Sequence, residues 1–235
     1  MRDDIVAIIC PDIHGRTFWE KAAQEYDGTI PFIFLGDYLD PYSDEGITPE
    51  DAKKNFEKIW EFKKQWGDNV ILLLGNHDIS YYDNYFKTCR YCYGVADWYK
   101  ELLTNNWDKF KFVHSLKNND ETFLFSHAGI HPLWLEVNNF EQIYDADYIN
   151  SLFVTNPKSF NEYSYYRGGY DRYGSPIWCD IREFMKLKEN KVTVKQIIGH
   201  TQLVADKVDT SNVTCIDSRQ TFVLTKNNEI KKYEK

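Results

Sequence analysis

Residues that can bind metal ions follow the short apolar runs of this sequence. Five runs end in such residues: Asp12 and His14, Asp37 and Asp40, Asn76 and His77, His127, and His200. Carboxylate, amide and imidazole donors without a thiolate suit a hard or borderline divalent cation such as Mn, Fe or Zn. The sequence therefore predicts a metal site built from residues that are far apart in the chain.

Six of these residues are candidates for direct metal ligands: Asp12, His14, Asp37, Asn76, His127 and His200. Six ligands exceed the need of one four-coordinate ion and suit two ions ~3.5–4 Å apart that share a carboxylate. Taken singly, each motif has an ordinary structural explanation, because an Asp before a turn forms an Asx-turn or caps a helix. Five such placements, each at the end of a predicted strand, favour the metal site.

The apolar runs predict buried β-strands, since short continuous runs of this kind are sheltered on both faces. They lie at 5–10, 31–36, 69–76, 121–127, 194–200, 212–217 and 220–225, with a further candidate in the KFVHSL stretch. Helical patterns at 16–26 and 48–66 separate the first three and predict an α/β fold. Ligands of such folds bind outside the carboxyl ends of the strands, so the polar residues can converge there.

The remaining segments predict helices and loops. Residues 79–110 are aromatic and expected to be helical, and residues 133–190 are expected to form a helical and loop insertion over one rim of the sheet. We find no repeat, low-complexity tract or linker-like stretch. One domain spanning residues 1–235 is therefore the simplest interpretation.

Composition excludes several classes of protein. The 235 residues are 43% hydrophobic and 27% charged, as in folded proteins, and no apolar run reaches the ~18 residues of a membrane span. A net charge of −8 argues against a nucleic-acid partner. The N-terminus lacks the basic start and long apolar run of a secretory signal, so we expect a cytoplasmic protein. Cys89 and Cys92 form an isolated C-x-x-C, which we interpret as reduced thiols.

The motifs PDIHGR, GDYLD, GNHD, SHAG and GHT, which together span residues 12–201, resemble those of the calcineurin-like metallophosphoesterases. Within that superfamily the chain is most similar to the phosphoprotein phosphatase branch, which includes bacterial Ser/Thr phosphatases and symmetrical dinucleoside tetraphosphatases. The last motif reads GHTQ, not the G-H-x-H of nuclease-like relatives. The resemblance implies two packed mixed β-sheets that form a central sandwich flanked by helices, a four-layer fold that some schemes class as α+β.

The resemblance also implies roles for the polar residues. One ion would be held by Asp12, His14 and Asp37, and a second by the bridging Asp37 with Asn76, His127 and His200. Mn²⁺ is the expected metal, with Fe or Zn as alternatives. A metal-bridging hydroxide would attack phosphorus in line. His77 would protonate the leaving alkoxide, and Asp40 would orient its imidazole.

Two positions depart from the pattern of the branch. Pro41 stands where a phosphate-binding Arg is usual, and Asp78 replaces the Glu of GNHE. A planar guanidinium suits bidentate phosphate recognition. Arg167 in YRGG and Arg16 after the first motif are therefore the candidates for binding the phosphate.

The leading hypothesis is a phosphomonoesterase that acts on phosphoserine or phosphothreonine in proteins. Hydrolysis of a dinucleoside polyphosphate or another small phosphate ester is an alternative, because tyrosines in the insertion could stack a base: Tyr163, Tyr165, Tyr166, Tyr170 and Tyr173. A nucleic-acid phosphodiesterase is disfavoured by the acidic charge, and Pro41 leaves open a non-catalytic phosphate-binding scaffold.

Other polar residues have weaker assignments. His114 is interpreted as structural, and His131 as a candidate for the rim of the site. Trp178, Asp180 and Asp217 are expected near the wall of the crevice. The oligomeric state is not indicated by the sequence.

Overall fold

The computed structural model describes residues 4–86, 88–187 and 194–234. They form two compact units. The first consists of the described parts of 1–111 and 219–235, and the second of the described parts of 112–218.

A six-stranded mixed sheet organises the first unit. Its strands are β1 (Ile5–Cys10), β2 (Phe32–Phe34), β3 (Val70–Leu73), β4 (Phe110–Lys111), β10 (Phe222–Thr225) and β11 (Ile230–Lys232). Their order is β11-β10-β1-β2-β3-β4. The neighbours from β1 to β4 pair in parallel, whereas β10 pairs antiparallel with both β1 and β11.

The parallel register brings the first three polar motifs to one edge of this sheet. Cys10 pairs with Phe34, and Phe34 with Leu72, so the three strands end at the same level. Asp12, Asp37 and Asn76 each follow their strand within three residues. The sheet therefore places these side chains at its carboxyl edge, as the sequence predicts.

Four α-helices belong to the described part of the first unit: α1 (Glu20–Gln24), α2 (Pro49–Trp66), α3 (Asn76–Tyr82) and α4 (Tyr93–Asn105). Helix α2 begins with a capping box, in which the Thr48 hydroxyl accepts from the Asp51 N–H and the Asp51 carboxylate accepts from the Thr48 N–H. It ends at Gly67, whose φ of 55° is available at little cost to glycine. Its buried face includes Phe56 and Ile59.

A five-stranded mixed sheet organises the second unit. Its strands are β5 (Val113–Asn118), β6 (Glu121–Ser126), β7 (Lys195–Ile198), β8 (Val208–Asp209) and β9 (Val213–Cys215), in the order β5-β6-β7-β9-β8. Strands β6, β7 and β9 pair in parallel, with β5 and β8 antiparallel at the edges. His127 directly follows β6 and His200 follows β7 by two residues, so this sheet also presents polar side chains at its carboxyl edge.

The segment predicted as an insertion, 133–190, contains helices and irregular backbone. It includes most of α5 (Pro132–Val137) and all of α6 (Ala146–Thr155) and α7 (Ile181–Phe184). An isolated bridge joins Ser164 to Asp171, the one strand-like pairing among its described residues. Its last three residues, 188–190, lie outside the described residues.

Two mixed sheets with flanking helices confirm the predicted α/β fold, and each predicted apolar run contains a strand. Helix α1 is shorter than the predicted 16–26, and the two- and three-residue strands β4, β8 and β11 were not predicted. The sandwich packing, the single domain over 1–235 and the insertion boundaries stay predictions.

Candidate active site

Two buried carboxylates, Asp12 and Asp37, lie close together after β1 and β2. Their side chains present oxygens within 4.8 Å of each other. The Nε2 atom of His14 lies 3.5 Å from an Asp37 oxygen and 4.0 Å from an Asp12 oxygen. These separations fit three donors around one ion, since each ligand atom would lie ~2.0–2.2 Å from it.

The His14 ring is oriented for metal binding by its other nitrogen. Nδ1 lies 2.8 Å from the carbonyl oxygen of Leu39. Because a carbonyl can only accept, Nδ1 carries the proton and the Nε2 lone pair faces the carboxylates. Burial, and then the neighbouring His77, lower the pKa of His14 well below its usual value, which favours the neutral form that binds metals.

The electrostatic environment of Asp37 calls for a cation. Burial, and then the negative charges of Asp12 and Asp78, raise the pKa of Asp37 well above its usual value. Carboxylates buried together are costly unless a positive charge compensates them. The donor set of the first unit therefore fits a divalent metal ion.

Asp78 fixes the backbone around Asp37. Its carboxylate accepts hydrogen bonds from the N–H groups of Asp37 at 2.7 Å, Gly75 at 2.8 Å and Tyr38 at 3.1 Å, and from the Tyr99 hydroxyl at 3.0 Å. Burial raises the pKa of Asp78 to about 7, against the effect of these donors. The residue that departs from the expected Glu thus connects the loops after β2 and β3.

His77 and Asp40 form a buried hydrogen-bonded pair. His77 Nδ1 lies 2.7 Å from Asp40 Oδ2, and the other carboxylate oxygen accepts from the Tyr81 hydroxyl and, at 3.1 Å, from the Cys92 N–H. Burial raises the pKa of Asp40 to about 6, although hydrogen bonds from Tyr81 and Cys92 oppose this. Thr88 Oγ1 lies 3.2 Å from His77 Nε2. Asp40 therefore holds the imidazole through Nδ1.

The start of α3 brings His77 and Asn76 to the carboxylates. The His77 N–H donates to Asp37 Oδ1 at 3.0 Å, and Asn76 is buried at the first position of the helix. The predicted residues Asp12, His14, Asp37, Asp40, Asn76 and His77 therefore all belong to one buried region of the first unit.

A pair of histidines lies at the carboxyl edge of the sheet in the second unit. His127 Nε2 and His200 Nδ1 are 3.0 Å apart, and both residues are buried. The Gly199 N–H donates to the His127 carbonyl at 2.8 Å, which connects the ends of β6 and β7. A nitrogen–nitrogen separation of 3.0 Å suits two neighbouring ligands of one ion, because each would lie ~2.1 Å from it.

Arg167 contacts the loop that carries His200. Its Nη2 donates to the His200 carbonyl at 2.8 Å and to Thr201 Oγ1 at 3.0 Å, and its Nε lies 3.1 Å from an Asp180 oxygen. Arg182 also binds Asp180. The guanidinium of Arg167 is therefore fixed beside a candidate ligand while its side chain keeps 23% exposure.

Arg16 is engaged by Glu45. Its Nε and Nη2 atoms donate to the two carboxylate oxygens at 2.8 and 2.9 Å, and Nη1 lies 3.3 Å from the Asp12 carbonyl oxygen. A guanidinium paired in this way has little donor capacity left for a phosphate.

Arg90 lies beside His14 and His77 in the first unit, although the sequence motifs did not indicate it. Its Nη2 is 3.4 Å from His77 Nε2 and 3.5 Å from His14 Nε2. The sequence offered two indirect signals, namely Pro41 where an Arg is usual and the Cys89 and Cys92 thiols that flank Arg90.

The remaining polar candidates take supporting positions. His131 is buried and caps α5 by accepting from the Leu133 N–H, and His114 lies half-buried on β5. The Trp178 ring meets His200 edge-on, with 5.7 Å between ring centroids. Asp217 is buried just after β9.

A mixed two-sheet fold with clustered carboxylate and imidazole donors defines a metal-dependent hydrolase of phosphate esters. The chain belongs to the calcineurin-like phosphoesterase family, whose model matches residues 6–217. The expected family and the enzyme class are thereby confirmed.

Two solved structures show the same fold. A protein serine/threonine phosphatase from Saccharomyces cerevisiae matches with a TM-score of 0.59 at 13% identity, over 99% of this chain and 80% of that one. A mutant of a cold-active protein tyrosine phosphatase matches with a TM-score of 0.57 at 15% identity, over 100% and 83% of the two chains. At these identities the similarity concerns the fold.

Among the described residues, no helix combines the length and the apolar character required to cross a bilayer.

Proposed function

We propose that the protein is a dinuclear-metal-dependent phosphatase that hydrolyses phosphate monoesters, and that its substrates are phosphoserine or phosphothreonine residues of proteins. The observation that carries this proposal is the buried His77–Asp40 pair next to the Asp12, His14 and Asp37 donors. An imidazole held by a carboxylate beside a metal-binding cluster suits hydrolysis of an ester with a poor leaving group.

Two groups of ligands would hold the cations. Asp12, His14 and Asp37 form one, and Asp37 with Asn76, His127 and His200 the other. We expect Mn²⁺, with Fe or Zn as alternatives. When bound, such ions neutralise phosphate oxygens and provide an activated water for attack on phosphorus. Support comes from the donor chemistry within each unit and from family membership.

His77 is the proposed general acid, and the residues around it hold its ring in place. Its Nε2 proton would pass to the leaving alkoxide oxygen as the phosphorus–oxygen bond breaks, and solvent would return a proton after the product leaves. Asp40 favours this protonated form because its carboxylate receives Nδ1–H at 2.7 Å. Tyr81 and Cys92 fix the carboxylate and with it the direction of the ring.

Arg167 is our proposed phosphate-binding residue on the second unit, since it is fixed at the His200 loop and keeps part of its surface exposed. Arg16 is the second proposed residue, and it would have to exchange part of its pairing with Glu45 for substrate.

A small phosphate ester with an aromatic group, such as a dinucleoside polyphosphate, is the second candidate substrate. Tyr165 and Tyr170 of the predicted insertion are almost fully exposed. Exposed tyrosine rings can stack on a nucleobase. The acidic net charge disfavours a long nucleic acid.

A substrate panel tests the proposal. The protein is stripped of metal with a chelator, reloaded with Mn²⁺ and incubated with an aryl phosphate, a phosphoserine peptide or a dinucleoside tetraphosphate. The released products are then quantified. We expect metal-dependent turnover of the aryl phosphate and the peptide. Turnover of the tetraphosphate alone would identify the second candidate, and bound metal without hydrolysis of any substrate would indicate a scaffold.

The cytoplasmic location stays a prediction, to be checked by fractionation.

A further inference from the structure

We propose that Arg90 supplies the guanidinium that binds the substrate phosphate beside His14 and His77. Arg90 would act in the site proposed above, so the assignment rests on that function. It adds a binding residue from the segment between α3 and α4, which none of the sequence motifs covers.

The position of the Arg90 side chain is the first observation. Nη2 lies 3.4 Å from His77 Nε2, the proton-donating atom of the proposed reaction, and 3.5 Å from His14 Nε2, the proposed metal-binding atom. A group in contact with both atoms borders the place where the reacting phosphate would lie, because the phosphate has to reach the metal and the general acid together.

The second observation is how the side chain is held. The guanidinium carbon lies 3.8 Å from the centroid of the Tyr42 ring, a cation–π contact, and Nε lies 3.3 Å from the Asp40 carbonyl oxygen. The Cys92 N–H donates to the Asp40 carboxylate and anchors the same segment. Arg90 is thus placed before any substrate binds, which lowers the entropy cost of binding.

The third observation concerns charge. Among the residues that the structure describes, no carboxylate lies within ion-pairing distance of the Arg90 guanidinium, whereas Arg16 and Arg219 both pair with Glu45. Arg90 therefore keeps donor capacity that those two arginines have given to a carboxylate. A phosphate oxygen is an acceptor that matches a planar guanidinium.

Arg90 also accounts for the departure at position 41. Pro41 cannot provide charge, but the next residue, Tyr42, provides the ring on which the Arg90 guanidinium lies. The positive group expected from the GDYLD loop is therefore supplied by another segment that packs on this loop.

Arg90→Gln and the control Arg219→Gln test the assignment. Arg219 also lies over Tyr42, at 5.7 Å, has a similar positive φ, and pairs with Glu45. For Mn²⁺-loaded proteins we would measure inorganic phosphate affinity by calorimetry, metal content by mass spectrometry, and KM and kcat on an aryl phosphate. We expect Arg90→Gln to weaken phosphate binding and raise KM by ~10–100-fold with unchanged metal content. Arg219→Gln should match the unmodified protein.

Labelling of the unmodified protein gives a readout that needs no variant. With Mn²⁺ present, inorganic phosphate should protect Arg90, but not Arg219, from phenylglyoxal, as seen by peptide mass spectrometry. Arg90→Lys, which keeps the charge, should recover part of the phosphate affinity.

The outcomes separate this assignment from the proposed function. Wild-type hydrolysis with an Arg90→Gln protein that binds phosphate normally would overturn the role of Arg90 and leave the phosphatase proposal standing. Phosphate binding that is lost in Arg90→Gln, in a protein that hydrolyses no substrate, would support Arg90 and refute the phosphatase. Lack of protection at Arg90 would overturn the assignment whatever the variants do.

Discussion

Replacement of Asp40 by Asn tests whether this carboxylate works through His77. The Nδ1–Oδ2 distance is 2.7 Å, and the two side chains are 5% and 0% exposed. A buried hydrogen bond to a charged group contributes about 1.5–3 kcal/mol. If this hydrogen bond stabilises the protonated imidazole in the transition state, Asp40→Asn lowers kcat by ~10–150-fold. Removal of the acid itself, in His77→Ala, lowers kcat by ~10²–10⁴-fold.

The double variant distinguishes a positioning role from an independent one. Once His77 is absent, Asp40→Asn should change kcat little further, because the carboxylate has no imidazole left to hold. The loss of kcat in the single variant Asp40→Asn should be large on a phosphoserine peptide and small on an aryl phosphate. The aryl phosphate releases a weakly basic phenolate, which needs little protonation.

The assay is steady-state hydrolysis of both substrates by Mn²⁺-loaded protein, with metal content measured on each sample. The control Asp108→Asn removes an exposed carboxylate that pairs with Lys109 on the surface and should leave kcat unchanged. If Asp40→Asn lowers kcat by the same factor with and without His77, Asp40 does not act through His77. That result would refute the assignment of His77 as the acid and of Asp40 as the residue that holds it. Loss of metal from Asp40→Asn would refute it as well.

Three further variants probe ligands and stability. His200→Ala should lower the bound metal by about one equivalent per chain, measured by mass spectrometry, because a ligand contributes a direct bond; unchanged content would exclude it as a ligand. Asp78→Asn should lower the free energy of urea unfolding by about 3 kcal/mol, because an amide cannot accept all the buried donors that converge there. Asp180 is buried, which alone would raise its pKa, but hydrogen bonds from Arg182 and the charge of Arg167 hold that pKa below its usual value. The Asp180 carboxylate therefore stabilises the folded state above its unfolded pKa of ~3.9, and this stabilisation is lost as the pH falls through the lower folded pKa. Asp180→Asn should flatten the acid limb of a plot of unfolding free energy against pH. An unchanged acid limb would contradict this.

The candidate ligand residues could be located from the sequence because their positions follow from the strands. Asp12, Asp37 and Asn76 directly follow apolar runs that the sheet needs as parallel strands, so their convergence is a property of sheet topology. The short edge strand β11 could not be predicted, because only Ile230 of its three residues is buried and no apolar run marks it.

Arg90 could not be predicted for a different physical reason. Its location depends on contacts with Tyr42 and Asp40, which are about fifty positions away in the chain and belong to an irregular loop. Neither periodicity nor a strand end marks such a residue. Helix α1 shows a similar effect, because Arg16, at the start of the predicted helix, is held by Glu45 and the helix begins at Glu20.

Several candidate site residues of the two units occupy an unfavourable backbone conformation. His14, Asp37, Asp40, Arg90 and His200 all have φ between 45° and 64°. This left-handed region costs a residue with a Cβ about 1–2 kcal/mol, less for Asp, and glycine would avoid the cost. Glycine has no carboxylate, imidazole or guanidinium, so the cost must be met by neighbouring contacts.

Those contacts are visible where the loops after β1 and β2 meet. The His14 N–H donates to the Asp37 carbonyl at 2.7 Å, the Gly15 N–H donates to the Tyr38 carbonyl at 3.0 Å, and Asp78 accepts the Asp37 N–H. Hydrogen bonds of this kind contribute about 1 kcal/mol each, enough to offset the strained conformations only when several act together. The proposed chemistry therefore requires these loops to hold their conformation, because side chains that must meet within a few ångströms cannot be carried by a backbone free to relax.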